Sequence, residues 1–290
     1  MKVLNWNVKG GLHGDHDRVR QQLRLVLERD PDVIALREIT EANYVAREEG
    51  LRAAGYDLVS GRELAQVPYP PPPYHPDART TTQISRLYFN LVASRIGCEE
   101  LPGLSWADPS EAATAFPEKY VAARVDVDGH PVSIHNTHPP PGVSRGILKV
   151  RHFEAVARRI DEEGDKPTIL CGDFNAPLLE DEEGPNETGR PKRDAPRGGW
   201  GELGERWNAA EISVLAHRRL RDVYRDVRSP GDPFPASHYT VSVAQKKGAK
   251  RYDYVFASAH FETASCRYLT DWLEDGYSDH AAVAAELRLR

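Results

Sequence analysis

The chain has 290 residues, 40% of them hydrophobic and 28% charged, with a net charge of -6. That length and balance suit a globular α/β protein with a sizeable core. No run approaches the roughly 18 apolar residues of a helical membrane span, and the acidic total lacks the basic surface that long nucleic acids usually attract. The N-terminal stretch MKVLNWNVKGG is too short of apolar residues, with Asn5 and Asn7 interrupting them, to read as a signal peptide. The expected compartment is therefore the cytoplasm. Cys98, Cys171 and Cys266 are odd in number and far apart, which argues against a disulfide framework or a zinc site. They read as small buried hydrophobes.

Residues 2–7 alternate as a strand does. From His16 to Arg29, Val19, Leu23, Val26 and Leu27 form the stripe of an amphipathic helix, with Asp15 or Asp17 as cap and Pro31 as stop. Asp32–Leu36 (DVIAL) is a buried strand with Glu38 just past its end, and Glu41–Ala54 is a helix closed by Gly55. Strands follow at 56–60, 86–94, 120–127 and 131–137, the last two forming a hairpin around Asp128-Gly129. Ser144–Glu163 reads as a helix with Val150, Phe153, Ala157 and Ile160 on one face. Pro167–Cys171 is a buried strand, and strands near 238–243, 251–257 and 280–288 complete the series.

Interleaved helices and strands together with hairpins predict two packed mixed sheets flanked by helices, in a single domain over 1–290. Two segments read as irregular: the proline tract 67–76 and the Glu-, Gly- and Arg-rich stretch 179–204, a long loop. Trp200 and Trp207 lie in or near that stretch, Trp207 reading as core. The clusters Arg218, Arg219, Arg221, Arg225, Arg228 and Lys246, Lys247, Lys250, Arg251 read first as solvated faces.

The informative pattern is positional. Polar residues recur where apolar strands end: Asn7, Glu38, Asn136 and His138, Asp173 and Asn175, Asp253, then Asp279 and His280. Strand ends are where a rigid scaffold presents side chains to a shared cleft. Singly, each has a plainer reading: an Asp or Asn in a turn is commonly a turn former, and Glu38 precedes a helix. Asp253 inside an apolar strand is the exception, because a buried carboxylate needs a partner.

The pieces LNWNVKG (4–10), PDVIALREI (31–39), HNTHPPPG (135–142), ILCGDFNAP (169–177), RYDYVFAS (251–258) and YSDHAAV (277–283) resemble the endonuclease/exonuclease/phosphatase superfamily, the fold of the pancreatic-type DNases. The resemblance implies a four-layer α/β sandwich and a metal-dependent hydrolase of phosphate esters. It implies that Glu38 is the principal ligand of a magnesium ion, with manganese as substitute, and that Asn7 stands beside it. Asp279 is implied as a second metal ligand or a group near the phosphate. Asp173 matches the residue that aligns or deprotonates the attacking water, and Asn175 supports it. His280 matches the histidine at the scissile phosphate, Asp253 the carboxylate that orients and charges it, and His138 a further phosphate-facing position.

Two departures stand out. Arg37 occupies the place where the family often has glutamine, and reads either as a phosphate contact or as the partner of a nearby acid; with Asn136 it is placed among the substrate-binding positions. Lys9 stands where apurinic-site endonucleases have an aspartate, which weakens an abasic-DNA reading. Three functions follow in order: a nuclease, whose backbone-tracking surface the Arg218–Arg228 cluster could supply; a hydrolase of a small phosphorylated molecule such as a nucleotide, sugar phosphate or lipid headgroup; and an inactive binding module. No obligate protein partner is indicated.

Overall fold

The computed structural model describes residues 1–11, 15–67, 88–104, 116–140, 146–176, 178–181, 184–188, 201–229 and 251–290. In chain order the elements are β1 (Lys2–Asn7), α1 (His16–Glu28), β2 (Val33–Ile39), α2 (Glu41–Ala53), β3 (Asp57–Ser60), α3 (Arg62–Gln66), β4 (Phe89–Ser94) and β5 (Glu99–Leu101). A 3-10 turn at Pro117–Lys119 leads into β6 (Tyr120–Val127), β7 (His130–Thr137), α4 (Gly146–Glu162), β8 (Thr168–Asp173), β9 (Leu178–Asp181) and β10 (Gly184–Thr188). Then come α5 (Gly201–Leu215), β11 (Leu220–Asp222), α6 (Val223–Asp226), β12 (Asp253–Ser258), β13 (Phe261–Leu269), α7 (Thr270–Glu274) and β14 (Ala282–Leu289).

Two six-stranded mixed sheets pack face to face with helices outside, as the sequence predicts. Their strand orders are β13-β14-β1-β2-β4-β3 and β11-β12-β8-β7-β6-β5. Each has one parallel pair near its centre, β1 with β2 and β7 with β8. Parallel neighbours need a crossover connection, and α1 and α4 supply them. The Asp15 side chain caps α1 by accepting from the Arg18 N–H, a contact worth about 1 kcal/mol. Asp128 and Gly129, both at positive φ (54° and 84°), make the predicted tight turn between β6 and β7.

The strand period of two fills the space between the sheets with Val3, Val33, Ala35, Val92, Ala123, Ile134, Ile169, Cys171, Val255 and Val283. On the outer face of the first sheet, Leu4, Trp6, Ile34, Leu36 and Leu91 pack with Val19, Leu23 and Val26 of α1. Outside the second, Tyr120, Leu170, Tyr254 and Phe256 pack with Val150, Phe153 and Ile160 of α4 and Trp207, Ala210 and Val214 of α5. The three cysteines are free thiols, Cys171 and Cys266 buried. Among the described residues no helix is long and apolar enough to cross a membrane.

The stretch expected to be one loop, 179–204, instead pairs β9 with β10 and begins α5. Backbone pairing needs no apolar alternation, which is why composition concealed the hairpin. α5 did leave a trace, since its buried Trp207, Ala210 and Val214 recur at helical spacing. Residues 68–76 of the proline tract, the strand expected at 238–243, Trp200, Lys246, Lys247 and Lys250 lie outside the described residues. Three arginines of the first cluster are engaged by local partners, while Arg218 and Arg228 are exposed. Arg219 donates to the carbonyls of Ile160 and Asp161, Arg221 to Asp226 and to the Phe261 carbonyl, and Arg225 to the Ser229 carbonyl.

Gly10 lies where a Cβ would sit 1.9 Å from the backbone carbonyl oxygen of Glu38. Backbone cannot move aside as a flexible side chain can. Gly10→Ala is therefore expected to cost about 1–3 kcal/mol and to lower the melting temperature by several degrees. A thermal melt matching the native chain would show that β2 yields there at no cost.

Candidate active site

The C-terminal ends of both parallel pairs meet at one edge of the sandwich, the place where open α/β sheets present ligand-binding residues. β1 ends in Asn7 and β2 in the segment with Glu38; β7 runs out into His138 and β8 ends in Asp173. The antiparallel neighbours contribute from their N-terminal ends: Asp253 opens β12, and Asp279 and His280 immediately precede β14.

Strand parity alone would turn Glu38 away from this cleft, because Val33, Ala35 and Arg37 already point between the sheets. A β-bulge reverses it. The register of β2 against β4 shifts between Leu36 and Ile39, and Glu38 sits there at φ 56°. Bulges re-aim side chains in this way beside functional sites. Asn175 (φ 49°) and Lys9 (φ 48°) are also left-handed, so three of the five non-glycine residues of positive φ among the described residues border the cleft. Such backbone costs of order 1–3 kcal/mol each and persists only where surroundings enforce it.

Those surroundings are visible. The Asn7 amide N–H group donates to Glu38 Oε1 at 3.1 Å and to Asp173 Oδ2 at 3.0 Å, joining the two sheets, while its Oδ1 accepts from the Lys9 N–H at 3.0 Å. Asn175 donates its backbone N–H to Asp173 Oδ1 (3.0 Å) and its side-chain amide to His138 Nε2 (3.1 Å) and the Pro139 carbonyl (3.0 Å). Ser278 Oγ donates to the Asn7 carbonyl and accepts from the His280 N–H, and the Trp6 indole donates to the His280 carbonyl. The segment 278–280 is thereby tied to β1.

Asp173 and Asp253 are directly opposed in the β8–β12 register, both essentially buried. Two like charges so placed repel, and cations surround them. His280 Nδ1 lies 2.8 Å from Asp253 Oδ2 and its Nε2 lies 3.6 Å from Asp173 Oδ2. Arg37 Nη2 lies 3.0 Å from Asp253 Oδ1, and its other arm reaches Asn5 Oδ1 and, at 3.4 Å, Asn136 Oδ1. Burial opposes the charged imidazole of His280, but the Asp253 and Asp173 carboxylates outweigh it and raise its pKa to about 9. Burial likewise pushes the Asp173 carboxyl up, and the positive charges of His280 and Arg37 hold it well below its ordinary value. His138, 3.5 Å from Asp173 Oδ2 and 4.0 Å from Glu38 Oε1, is pushed well below the usual imidazole range by burial and is neutral near pH 7.

The sequence-predicted residues Asn7, Glu38, His138, Asp173, Asn175, Asp253 and His280 thus converge. Asp279 reaches the same mouth, with its Oδ2 3.1 Å from Lys9 Nζ. Arg37 and Asn136 take a different place. Both are 0% exposed. Asn136 spends its amide on the carbonyls of Leu36 and Leu91 at 2.9 Å each. Neither has surface for a substrate to touch, so Arg37 is the partner of an acid. Sequence reasoning missed Asn5, which accepts from Arg37 and donates to the Tyr254 carbonyl. Its signal was that it shares strand parity with Asn7, inside the sandwich.

The carboxylates differ in what balances them. Asp253 and Asp173 face cations, and Asp279 faces Lys9. Among the described residues Glu38 hydrogen-bonds the Asn7 amide and lies 4.0 Å from the neutral His138, with no lysine or arginine in ion-pair range; burial pushes its carboxyl up, against the Asn7 hydrogen bond and the more distant charge of His280. Its side chain is 26% exposed, on the open side of the cleft. An oxygen donor with solvent access and no cation in direct contact among the described residues suits a hard divalent cation, which keeps several waters and needs one or two carboxylates. Asp173, Asp253 and His280 also place ligand atoms within 4.8 Å of one another and could hold a metal ion. Their charges, however, are already satisfied among themselves and by Arg37.

Comparison with known proteins identifies the family and the fold. A sequence profile described as the Endonuclease/Exonuclease/phosphatase family matches residues 4–280. Among solved structures, an AP endonuclease from Archaeoglobus fulgidus superposes with TM-score 0.68 at 16% identity, covering 100% of both chains. The 3′ phosphatase NExo from Neisseria, bound to a product DNA hairpin, gives 0.67 at 19% identity over 99% of each chain. TDP2 of D. rerio, complexed with single-strand DNA product, gives 0.65 at 16% identity over 99% of this chain and 98% of that one. At these identities the superpositions show a shared fold. A sequence search of curated proteins finds no match.

The raised pKa of His280 has a consequence for stability. A folded-state value of about 9, against an ordinary 6.5 or so, means that folding favours the protonated ring. Its contribution is full below pH 6.5 or so and is lost as pH rises through about 9. The stability advantage of the native chain over His280→Asn, read from denaturant unfolding without added metal, should shrink across that window. An advantage that grows with pH would reverse the assignment.

Proposed function

From the premise that the chain belongs to the endonuclease/exonuclease/phosphatase family, we propose that this cleft hydrolyses phosphate esters with the aid of a divalent cation, and that its substrate is a nucleic-acid phosphodiester. One observation carries the chemistry: an ionised Asp173 and a cationic His280 face the same few ångströms of cleft, with Nε2 and Oδ2 3.6 Å apart. A carboxylate and an imidazolium normally neutralise each other. Here Asp253 takes the other side of the imidazole, and the Asn7 and Asn175 N–H groups hold both oxygens of Asp173, so each keeps its charge.

The roles follow from these contacts. Asp173 aligns a water against the phosphorus and takes its proton, a contribution of about 10²–10⁴ in rate. Asn175 fixes Asp173 and turns its amide toward His138. His280 donates from Nε2 to a phosphoryl oxygen as charge builds there, with Asp253 holding the ring and its charge. Arg37 and Asn136 stand behind Asp253 and β2 as positioning groups. Glu38 would hold the cation, magnesium with manganese as substitute, with Asn7 beside it and Asp279 as a further oxygen at the rim. Such an ion polarises phosphoryl oxygens and orients the ester.

The nuclease reading draws support from what the superposed proteins bind, a DNA hairpin in one case and single-strand DNA in another. The arginine cluster does not add to it. Leu220 and Arg221 pair with Ser258 and Ala257, five and four residues along β12 from Asp253, about 13–17 Å from it at the rise of a strand. That placement, with the net charge of -6, favours a second reading: hydrolysis of a small phosphorylated molecule such as a nucleotide, sugar phosphate or lipid headgroup. Three thiols, none in a disulfide, support a reducing compartment, the cytoplasm.

A magnesium-dependent screen over plasmid DNA, single-stranded DNA, RNA, nucleotides, sugar phosphates and phospholipids decides between them. Cleavage of a nucleic acid is expected, falling about 10²–10⁴-fold in Asp173→Ala. Glu38→Gln is expected to weaken Mn²⁺ binding measured by electron paramagnetic resonance. Intact nucleic acid beside a hydrolysed monoester selects the second reading. Full activity in Asp173→Ala would remove the mechanism altogether.

A further inference from the structure

Behind Asn175, on the side away from the cleft, lies an ion pair that the roles above do not use. Lys149 on α4 and Glu211 on α5 meet with Nζ 2.6 Å from Oε1, their side chains only 3% and 2% exposed. The same ammonium donates to the backbone carbonyl of Asn175 at 2.8 Å. It also lies over the rings of Trp207 and Phe153, 5.2 and 5.6 Å from their centroids. A buried pair of this kind is weak support for stability, since an apolar pair of equal volume commonly serves as well. Burial in fact pushes the Lys149 ammonium below its ordinary pKa, with the Glu211 carboxylate opposing that shift. The retained charge is better explained by what the ammonium holds.

We propose that Lys149, clamped by Glu211, is a positioning residue that fixes Asn175 in its left-handed conformation and so sets both Asn175 and Asp173. The geometry is directional. At φ 49° the Asn175 N–H points to Asp173 Oδ1 and its side-chain amide to His138 Nε2, while its carbonyl turns outward. An outward, partly buried carbonyl needs a donor, and Lys149 of α4 is that donor. Phe174 cannot hold the turn by itself: its ring packs against Phe153, Tyr254 and Phe256, fixing one residue earlier than the bend. The strut therefore runs from α5 through Glu211 and Lys149 to the backbone of the turn, and from there to the carboxylate that faces the water. This inference rests on the role given above to Asp173 and Asn175.

The test replaces both partners, Lys149→Met with Glu211→Met, because removing the lysine alone strands a buried carboxylate. The probe is bis(4-nitrophenyl) phosphate with manganese. The double variant should fold and keep KM within about threefold, while kcat falls about 10–100-fold, as small displacements of catalytic groups do. In an Asn175→Ala background the same pair of changes should cost clearly less than in the native chain, because the side-chain amide is already gone and only the backbone N–H to Asp173 is left to be displaced. A merely structural strut would add its loss to that of Asn175. A crystal structure of the double variant should show Asn175 leaving positive φ, or its amide beyond hydrogen-bonding reach of His138. Native kcat, additive losses or an unmoved Asn175 would each overturn the proposal, and the crystal structure decides whether or not the probe is cleaved. Undiminished hydrolysis by Asp173→Ala would instead indict the reading of the cleft.

Discussion

Two carboxylates opposed across one pair of neighbouring strands set the terms for this molecule. Asp173 and Asp253 are register partners in β8 and β12, both out of water. Unpaired, each buried charge would cost several kcal/mol. The surroundings answer with two cations and a set of amide donors, each from a different part of the chain. Arg37 comes from β2, His280 from the turn before β14, and the Asn7 amide from β1. None of these can be supplied locally by the hairpin-like pairing of β8 with β12. The first sheet must therefore dock on the second before the charges of the second are satisfied, and assembly of the sandwich and completion of the site are one event.

That coupling is written into the inner faces of the strands. Reading β1 inward gives Val3, Asn5, Asn7; β2 gives Val33, Ala35, Arg37; β7 gives Val132, Ile134, Asn136; β8 gives Ile169, Cys171, Asp173. The antiparallel strands run the other way, with Asn90 before Val92 in β4 and Asp253 before Val255 and Ala257 in β12. Every series passes from apolar to polar toward the same edge. One end of the interface is held by area removed from water. The other is held by hydrogen bonds between sheets: Asn5 to the Tyr254 carbonyl, Asn136 to Leu36 and Leu91, and Asn90 to Lys119 and Asn136. Directional bonds specify one register of sheet on sheet, which apolar packing alone specifies poorly.

Much of this was legible in the sequence, and the boundary has physical causes. Strands and helices with clean periodicity, such as β1, α1, α4 and the β6–β7 hairpin, were read within a few residues. The site was legible because residues of one chemistry stood at successive strand ends in a known order. What escaped was of two kinds. Elements with a weak or broken side-chain pattern were not predicted: the short β9, β10 and α7, the nine-residue β13, whose alternation is interrupted by a bulge between Thr263 and Ser265, and α5 beyond its buried Trp207. Orientation was the other: no spacing rule predicts that a bulge rotates Glu38 into the cleft, or that Arg37 faces Asp253 and not a substrate. Lys149 and Glu211 lie 62 positions apart on helices whose apolar stripes were the only visible signal, so their encounter follows from tertiary packing alone.

Cys171 stands two residues before Asp173, on the inner face where the gradient turns polar, fully enclosed and with its thiol pushed up to about 12 by burial. Thiol reagents attack the thiolate, and here neither the ionised form nor an approach path exists while the sheets are together. Its rate of alkylation is consequently a clock for their separation. Cys98, at intermediate burial, supplies a second rate from the rim. The molecule carries its own chemical reporters, Cys171 and Cys266 within the seam between its halves and Cys98 packed at its edge.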